Sequence, residues 1–429
     1  MTTAAAALTA ALQRVVKAYI AAGLLFMLLP GTFLGVWNLI SISDQRSKSG
    51  LSPAWIQAHG QAQIFGWIGS FVIGIGFFSL SKMGQIKPWV VRRGWTSWAL
   101  WAPGVTLHWM TGVYGWHWRI LQPLSCVAEL TGFLLFFLSV RQHKPKQRKS
   151  DLPVLSNSPQ GWMKLVVAST GGFLLALLWN LGISLCVAVQ NIGPEYPKRA
   201  DQHLLTIAVW GFLVLTVWGF NARWLPIFAG LPQPHERGLM WALVLAGSGV
   251  LSALFAVPFA SGLLVLCASA VAAWSLRIYC KPAQEKPFPI TFVRMAYVWL
   301  AIGSTLLTWA ALADKNGGIL GAGRHALTVG FVGTMVFTFG PHLLPNFCGG
   351  RALLSKQLVT AALLLLNTGC VLRVFSEIPA YEGYFAQAWN VLPISAVVEL
   401  TAVSFFAFNI FASIARKPVR APALAGAAA

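Results

Sequence analysis

The sequence predicts an all-α polytopic membrane protein of twelve transmembrane helices, arranged as three pseudo-repeated four-helix units. Three observations carry this expectation. The 429 residues are 57% hydrophobic and only 10% charged, far less charge than a soluble surface shows. Mean hydropathy is +0.67. Twelve apolar runs reach the roughly 20 residues needed to cross a bilayer, and Lys and Arg are dense in alternate connections between them.

The runs fall at 17–41, 55–80, 92–114, 118–140, 162–189, 201–226, 238–257, 258–279, 291–313, 320–345, 353–376 and 388–415. The first is too long for a signal-peptide core and has no clear cleavage site, so it reads as a retained span. With the N-terminus in the cytoplasm, cytoplasmic connections carry 23 of the 31 Lys and Arg. Both termini are therefore expected in the cytoplasm, and a missed span would scramble the alternation. The same bias explains the net charge of +20 without a nucleic-acid partner; the partner is the lipid bilayer. The run Arg141–Lys149, followed by Asp151-Leu152-Pro153, is the longest cytoplasmic linker and suits anionic lipid. The chain is read as one integral domain over 1–429, with a disordered cytoplasmic tail at 416–429. Six cysteines show no CxxC or metal-type spacing. Cys126, Cys186, Cys267 and Cys370 lie in apolar runs, as small hydrophobes do.

An internal repeat organises the spans. Pro123-Leu124-Ser125-Cys126-Val127-Ala128-Glu129-Leu130-Thr131 in the fourth run matches Pro393-Ile394-Ser395-Ala396-Val397-Val398-Glu399-Leu400-Thr401 in the twelfth. The glutamates are 270 residues apart (399 − 129), and His59 and His325 of the second and tenth runs are 266 apart (325 − 59). A degraded middle copy has His203, Pro258 and Ser261, with Leu264 where the glutamate would fall. Fixed-period similarity is architectural evidence. The units are placed at about 1–150, 151–286 and 287–415.

Depth follows from the repeat. His59 and His203 each lie six residues after a proline, Pro53 and Pro197; Glu129 and Glu399 lie six after Pro123 and Pro393. Six residues of helix rise about 9 Å, so these groups form one shallow layer below the outer surface, with His325 at similar depth. Ionisable groups within a bilayer are costly and face the bundle interior. A b-type haem between two helices needs an imidazole from each side at one depth. His59 and His325 meet that demand, and His203 offers a third nitrogen, suited to a second haem or to copper. Glu129 and Glu399 can relay protons or orient the histidines. His108 lies in the same outer half, as does Arg373, which can pair with Glu399 or with a haem propionate. A lone histidine at a membrane helix end is commonly an interfacial hydrogen bonder, and the reading applied to His117, His143 and His235 is solvation. His342, near the cytoplasmic end of the tenth run, is given no role.

His325-Ala326-Leu327-Thr328-Val329-Gly330, with Gly333-Thr334-Met335, resembles the signature helix of the NnrS family. Asn221-Ala222-Arg223-Trp224-Leu225-Pro226-Ile227-Phe228 is similar to that family's Gly-Gly-Arg-Val-Ile-Pro element, and Leu372-Arg373-Val374 is also similar. The resemblance implies a twelve-helix protein of the bacterial inner membrane that contains haem and copper and serves nitric oxide metabolism or nitrosative stress. The family's His-x-His-Glu-Met in the second helix is not kept: Gln61 and Ala62 follow His59. Pro341-His342 and Leu344-Pro345-Asn346-Phe347-Cys348 stand where the family carries Leu-Gly-His-Thr-Gly-Arg. The plan also resembles subunit I of haem–copper oxidases and the nitric oxide reductases, whose low-spin haem histidines lie on helices 2 and 10. The run 238–257 has no histidine and the adjacent copper-binding His pair is missing, so oxygen reduction is not expected. The expected protein is a haem-binding inner-membrane protein of the NnrS type with a nitrogen-oxide ligand and an electron-transfer partner. The alternative from another class is a secondary transporter or permease with a polar binding layer near the periplasmic face.

Overall fold

In a bilayer core every backbone N–H and C=O must be met within the chain, which leaves so apolar a sequence only helices or a closed barrel. The computed structural model describes residues 3–47, 51–83, 85–143, 161–282, 288–350 and 352–416. The basic run from Lys144 and the tail from 417 onward lie outside them. Among the described residues there are twelve long helices and no strand. They are α1 (Thr3–Gln45), α2 (Pro53–Met83), α3 (Pro88–Tyr114), α4 (Trp118–Gln142), α5 (Gly161–Gln190), α6 (Lys198–Phe228), α7 (Glu236–Leu254), α8 (Pro258–Ser275), α9 (Ile290–Ala313), α10 (Gly318–Phe347), α11 (Lys356–Tyr381) and α12 (Ala388–Ala415). All but α3 are long and apolar enough to cross a membrane. α3, with Arg92, Arg93 and His108 along its 27 residues, packs against α1, α2 and α4. The protein is multi-pass.

Three helices form the centre. The apolar windows of α2, α6 and α10 are 67, 61 and 78% enclosed, against 50% or less in the other candidate spans. Each contains a π-helical stretch, at Ala62–Gly69, Ile207–Val214 and Ala326–Gly333, and α1 has a fourth at Met27–Phe33 around Pro30. π turns interrupt the regular ladder and recur at functional sites. Three of the four begin one to four residues after His325, His59 and His203. We call the end of the bundle where α2, α6 and α10 begin the histidine end.

α2 and α10 close on each other away from that end. Phe78 and Phe347 pack at 4.3 Å between centroids, and Trp67 meets Phe337 edge-on at 6.5 Å. Phe337 in turn stacks on Phe406 of α12 at 4.0 Å. At the histidine end, α10 is fixed by two carboxylates. Asp314 accepts from the backbone N–H of Gly317 and Leu320, and Glu382 from those of Lys315, Asn316 and Gly318. Gly317 has φ +82°, which a side chain rarely tolerates.

α5 and α6 cross through Gly172, where a Cβ would overlap the carbonyl of Gly211. Small residues let membrane helices approach this closely. Gly172→Leu is expected to force the pair apart and lower stability by ~1–3 kcal/mol. Gly171→Leu, beside it, is the control, because a Cβ there meets nothing within 4 Å. Thermal melts of the two variants in detergent decide; equal melts would refute the packing argument.

Candidate functional site

The histidine end encloses a cavity of about 880 Å³, within the range of small-molecule sites. His59 and His325 both line it, as do Gln61, Gln63, His108, Arg373 and Glu399. Its deep side is apolar, with Trp67, Phe337 and Leu366. Toward the surface it is lined by Lys198, Asp201, Asp314, Lys315 and Arg324. Arg324 of α10 donates to the Gln202 side chain of α6, tying the two helices across the opening.

Each histidine is oriented by its surroundings. His59 Nδ1 lies 2.8 Å from the Gly31 carbonyl, in the π stretch of α1. A carbonyl only accepts, so Nδ1 carries the proton and Nε2 is the basic nitrogen. The ring lies against Gly35, where a Cβ would stand 2.6 Å from Cε1 and 2.8 Å from Nδ1. His325 Nδ1 is 3.0 Å from the Gly321 carbonyl and 3.3 Å from Glu377 Oε2. A Cβ at Gly321 would collide with that carboxylate. Metal-binding histidines are typically held in this way, the second nitrogen donating to a carbonyl or carboxylate.

Arg373 Nε lies 3.2 Å from Glu377 Oε2, one turn along α11, a partner beside those the sequence offered. Glu399 is packed over Gly369, where a Cβ would stand 2.6 Å from its Cγ. Arg373 Nη1 and Glu399 Oε1 are buried without a hydrogen-bond partner among the described residues. So are Asn38 Oδ1, Gln63 Oε1, Trp67 Nε1 and Gln122 Oε1, and all six residues line the cavity. Buried polar atoms are nearly always satisfied by protein or by ordered water, so these six are open to water or to a bound molecule in the cavity.

Glu129 is fully buried and lies one layer behind the wall. Gln61 Nε2 donates to its two oxygens at 3.1 and 3.3 Å, and His108 Nδ1 is 3.7 Å from Oε1. His203 is placed apart: its ring rests on Trp179 at 5.8 Å and does not line the cavity. Among the described residues no group of three or more His, Cys, Asp or Glu is arranged to hold a metal ion. Sequence reasoning missed Glu377, although an Arg and a Glu four apart in an apolar span are a pairing signal. It also missed Gly31 and Gly321, whose part is played by backbone carbonyls.

The model of the family described as NnrS protein matches residues 14–417. The chain belongs to the NnrS family. No curated protein matches it. The fold of this NnrS chain is similar to one described from a cryo-EM structure of a heme-copper terminal oxidase dimer. The TM-score is 0.66 at 13% identity, over 96% of this chain and 85% of that one. At that identity the likeness is one of fold.

Proposed function

We propose that this NnrS chain is a haem-binding protein of the bacterial inner membrane, with a b-type haem held between α2 and α10 by His59 and His325. Its role lies in nitric oxide or nitrogen-oxide metabolism, with an electron-transfer partner. The observation that carries the reading is that two imidazoles on different helices line one cavity, each with Nδ1 turned to a carbonyl. When bound, the haem supplies a one-electron centre. The chain's own residues do the rest. Gly31 and Gly321 orient the rings, and Glu377 adds a carboxylate to His325. Arg373 offers a buried cation to a propionate. Trp67 and Phe337 exclude water from the deep side and favour a bound group over a through-path for a transported solute. Among the described residues no three donors are assembled for copper, and the proposal is confined to haem. The Lys and Arg bias supports cytoplasmic termini and a histidine end facing the periplasm. The recurrence of a π stretch near each histidine supports three four-helix units.

The test is an optical spectrum of the purified protein, oxidised and dithionite-reduced, with pyridine extraction of the haem. A b-type signature at one haem per chain is expected; a colourless protein from haem-replete cells would overturn the reading and favour the permease. A milder perturbation follows from Gly35. Gly35→Ala should tilt the His59 ring and weaken haem retention by about 10–100-fold, as losing an outer-shell support does, with the helical circular dichroism unchanged. Retention equal to wild type would show that Gly35 does not position the ring.

A further inference from the structure

Glu129 is the most deeply enclosed acid in the first four helices, and the haem reading does not use it. Its burial is complete, and burying an unpaired charge is too costly to sustain. The groups facing it are His108 of α3 at 3.7 Å, Gln61 of α2, Cys126 one turn back on its own helix, and Tyr196 from the α5–α6 connection. His108 Nδ1 is also 3.3 Å from Ser125 Oγ and 3.5 Å from Cys126 Sγ. No Lys or Arg is among these neighbours. The pair therefore balances in only two ways, as acid beside neutral imidazole or as carboxylate beside imidazolium. Both hold one proton between them.

The pair also has a route to water. Gln61 and His108 touch Glu129 and line the cavity; Glu129 itself does not. Toward the surface the same wall continues through Gln122, Tyr196 and Gln57. Gln57 and Tyr196 clamp each other, the Gln57 side chain donating to the Tyr196 carbonyl at 3.0 Å and accepting its N–H at 2.8 Å. Gln122 Nε2 donates to the Pro194 carbonyl at 3.0 Å, while its Oε1, enclosed, has no partner among the described residues. A polar atom left open on a cavity wall is where a bridging water binds.

The counterpart on α11 and α12 is built differently. Gly104 of α3 lies against Glu129 Cγ as Gly369 of α11 lies against Glu399 Cγ. One turn after each glycine stands His108 in one case and Arg373 in the other. The two glycines and the two cationic positions keep the same spacing, 265 residues (369 − 104 and 373 − 108). An arginine side chain is a fixed cation, whereas a histidine can take up and release a proton.

We propose that His108 and Glu129 form a proton-holding site, filled from the histidine end through the cavity wall at Gln122 and Gln61. On release the carboxyl O–H bond breaks and a cavity water takes the proton, leaving a carboxylate that the hydrogen bonds from Gln61 Nε2 hold until water returns a proton. The site does not depend on haem, so its test does not either.

The experiment is infrared difference spectroscopy of the purified full chain in lipid nanodiscs, recorded on pH steps and on exchange of H2O for D2O. A carboxyl signal is expected that responds to both and is missing from Glu129→Gln. Its exchange should slow by about tenfold in Gln61→Leu, which removes the polar link across the wall. His108→Gln should move the pH at which the signal changes, while Glu129→Asp should shift the band without abolishing it, which covers a Gln variant that fails to fold. Spectra of Glu129→Gln and wild type that coincide would overturn the site. Exchange unchanged in both Gln61→Leu and Gln122→Leu would overturn the route. A colourless preparation from haem-replete cells that still shows the signal supports this proposal while overturning the haem reading.

Discussion

Purified His59→Ala and His325→Ala are each expected to lose the b-type haem signature that the wild-type protein shows. The argument rests on the rings' environments. Each imidazole has Nδ1 committed to a carbonyl, which leaves a basic Nε2 as the single donor each helix offers to a metal. No third histidine stands ready to replace either one, because His203 rests on Trp179 and His108 faces Glu129. Deleting a direct ligand should therefore cost more than the ~10–100-fold that follows loss of an outer-shell partner. His203→Ala should leave the spectrum unchanged, and this contrast separates ligand loss from general damage. Added imidazole should restore part of the signal to a His325→Gly variant, since the cavity left behind fits the missing ring. A full signature in His325→Ala would end the bis-histidine assignment, and loss of colour in His203→Ala alone would move the haem toward α6.

Helix number and the central place of α2 and α10 were legible because the bilayer imposes them. A run must be long enough to cross, and ionisable groups must face inward. The ends were less legible. α1 continues to Gln45 and α3 starts at Pro88, beyond the expected 41 and 92, because a helix can extend past the apolar region without a change in hydrophobicity. The π stretches left no compositional mark: they are a property of hydrogen-bond register, and their residues are as apolar as their neighbours. His59 and His325 could be paired from their spacing, yet the carbonyls that orient them could not, since a backbone acceptor has no sequence signature. His203 shared the depth rule with His59 but not the outcome. A count from a proline fixes height along the axis, not the direction in which a helix presents a side chain. The sequence offers Arg373 either Glu399 or a haem propionate, and only the structure shows Glu377 one turn away.

Arg373→Leu is expected to destabilise the protein more than any other single change on the cavity wall. Arg373 is buried among Glu377, 3.2 Å away, Glu399 and His325. Removing it strands Glu377 in a low-dielectric interior, and breaking a buried ion pair from one side costs about 3–5 kcal/mol. Glu377→Leu should cost a similar amount by stranding the guanidinium, and it also removes the carboxylate 3.3 Å from His325. The paired variant Arg373→Leu/Glu377→Leu should be more stable than Arg373→Leu, because replacing a whole buried pair by apolar groups is often nearly neutral. Melting temperatures of the three variants in detergent, combined as a double-mutant cycle, give the coupling directly. Additive losses would mean that the pair does not act as a unit. Stability and haem retention should also part company here. The paired variant should recover much of its stability yet retain haem poorly, since the cation proposed for a propionate is gone. If it held haem as tightly as wild type, Arg373 would be a structural partner of Glu377 and nothing more.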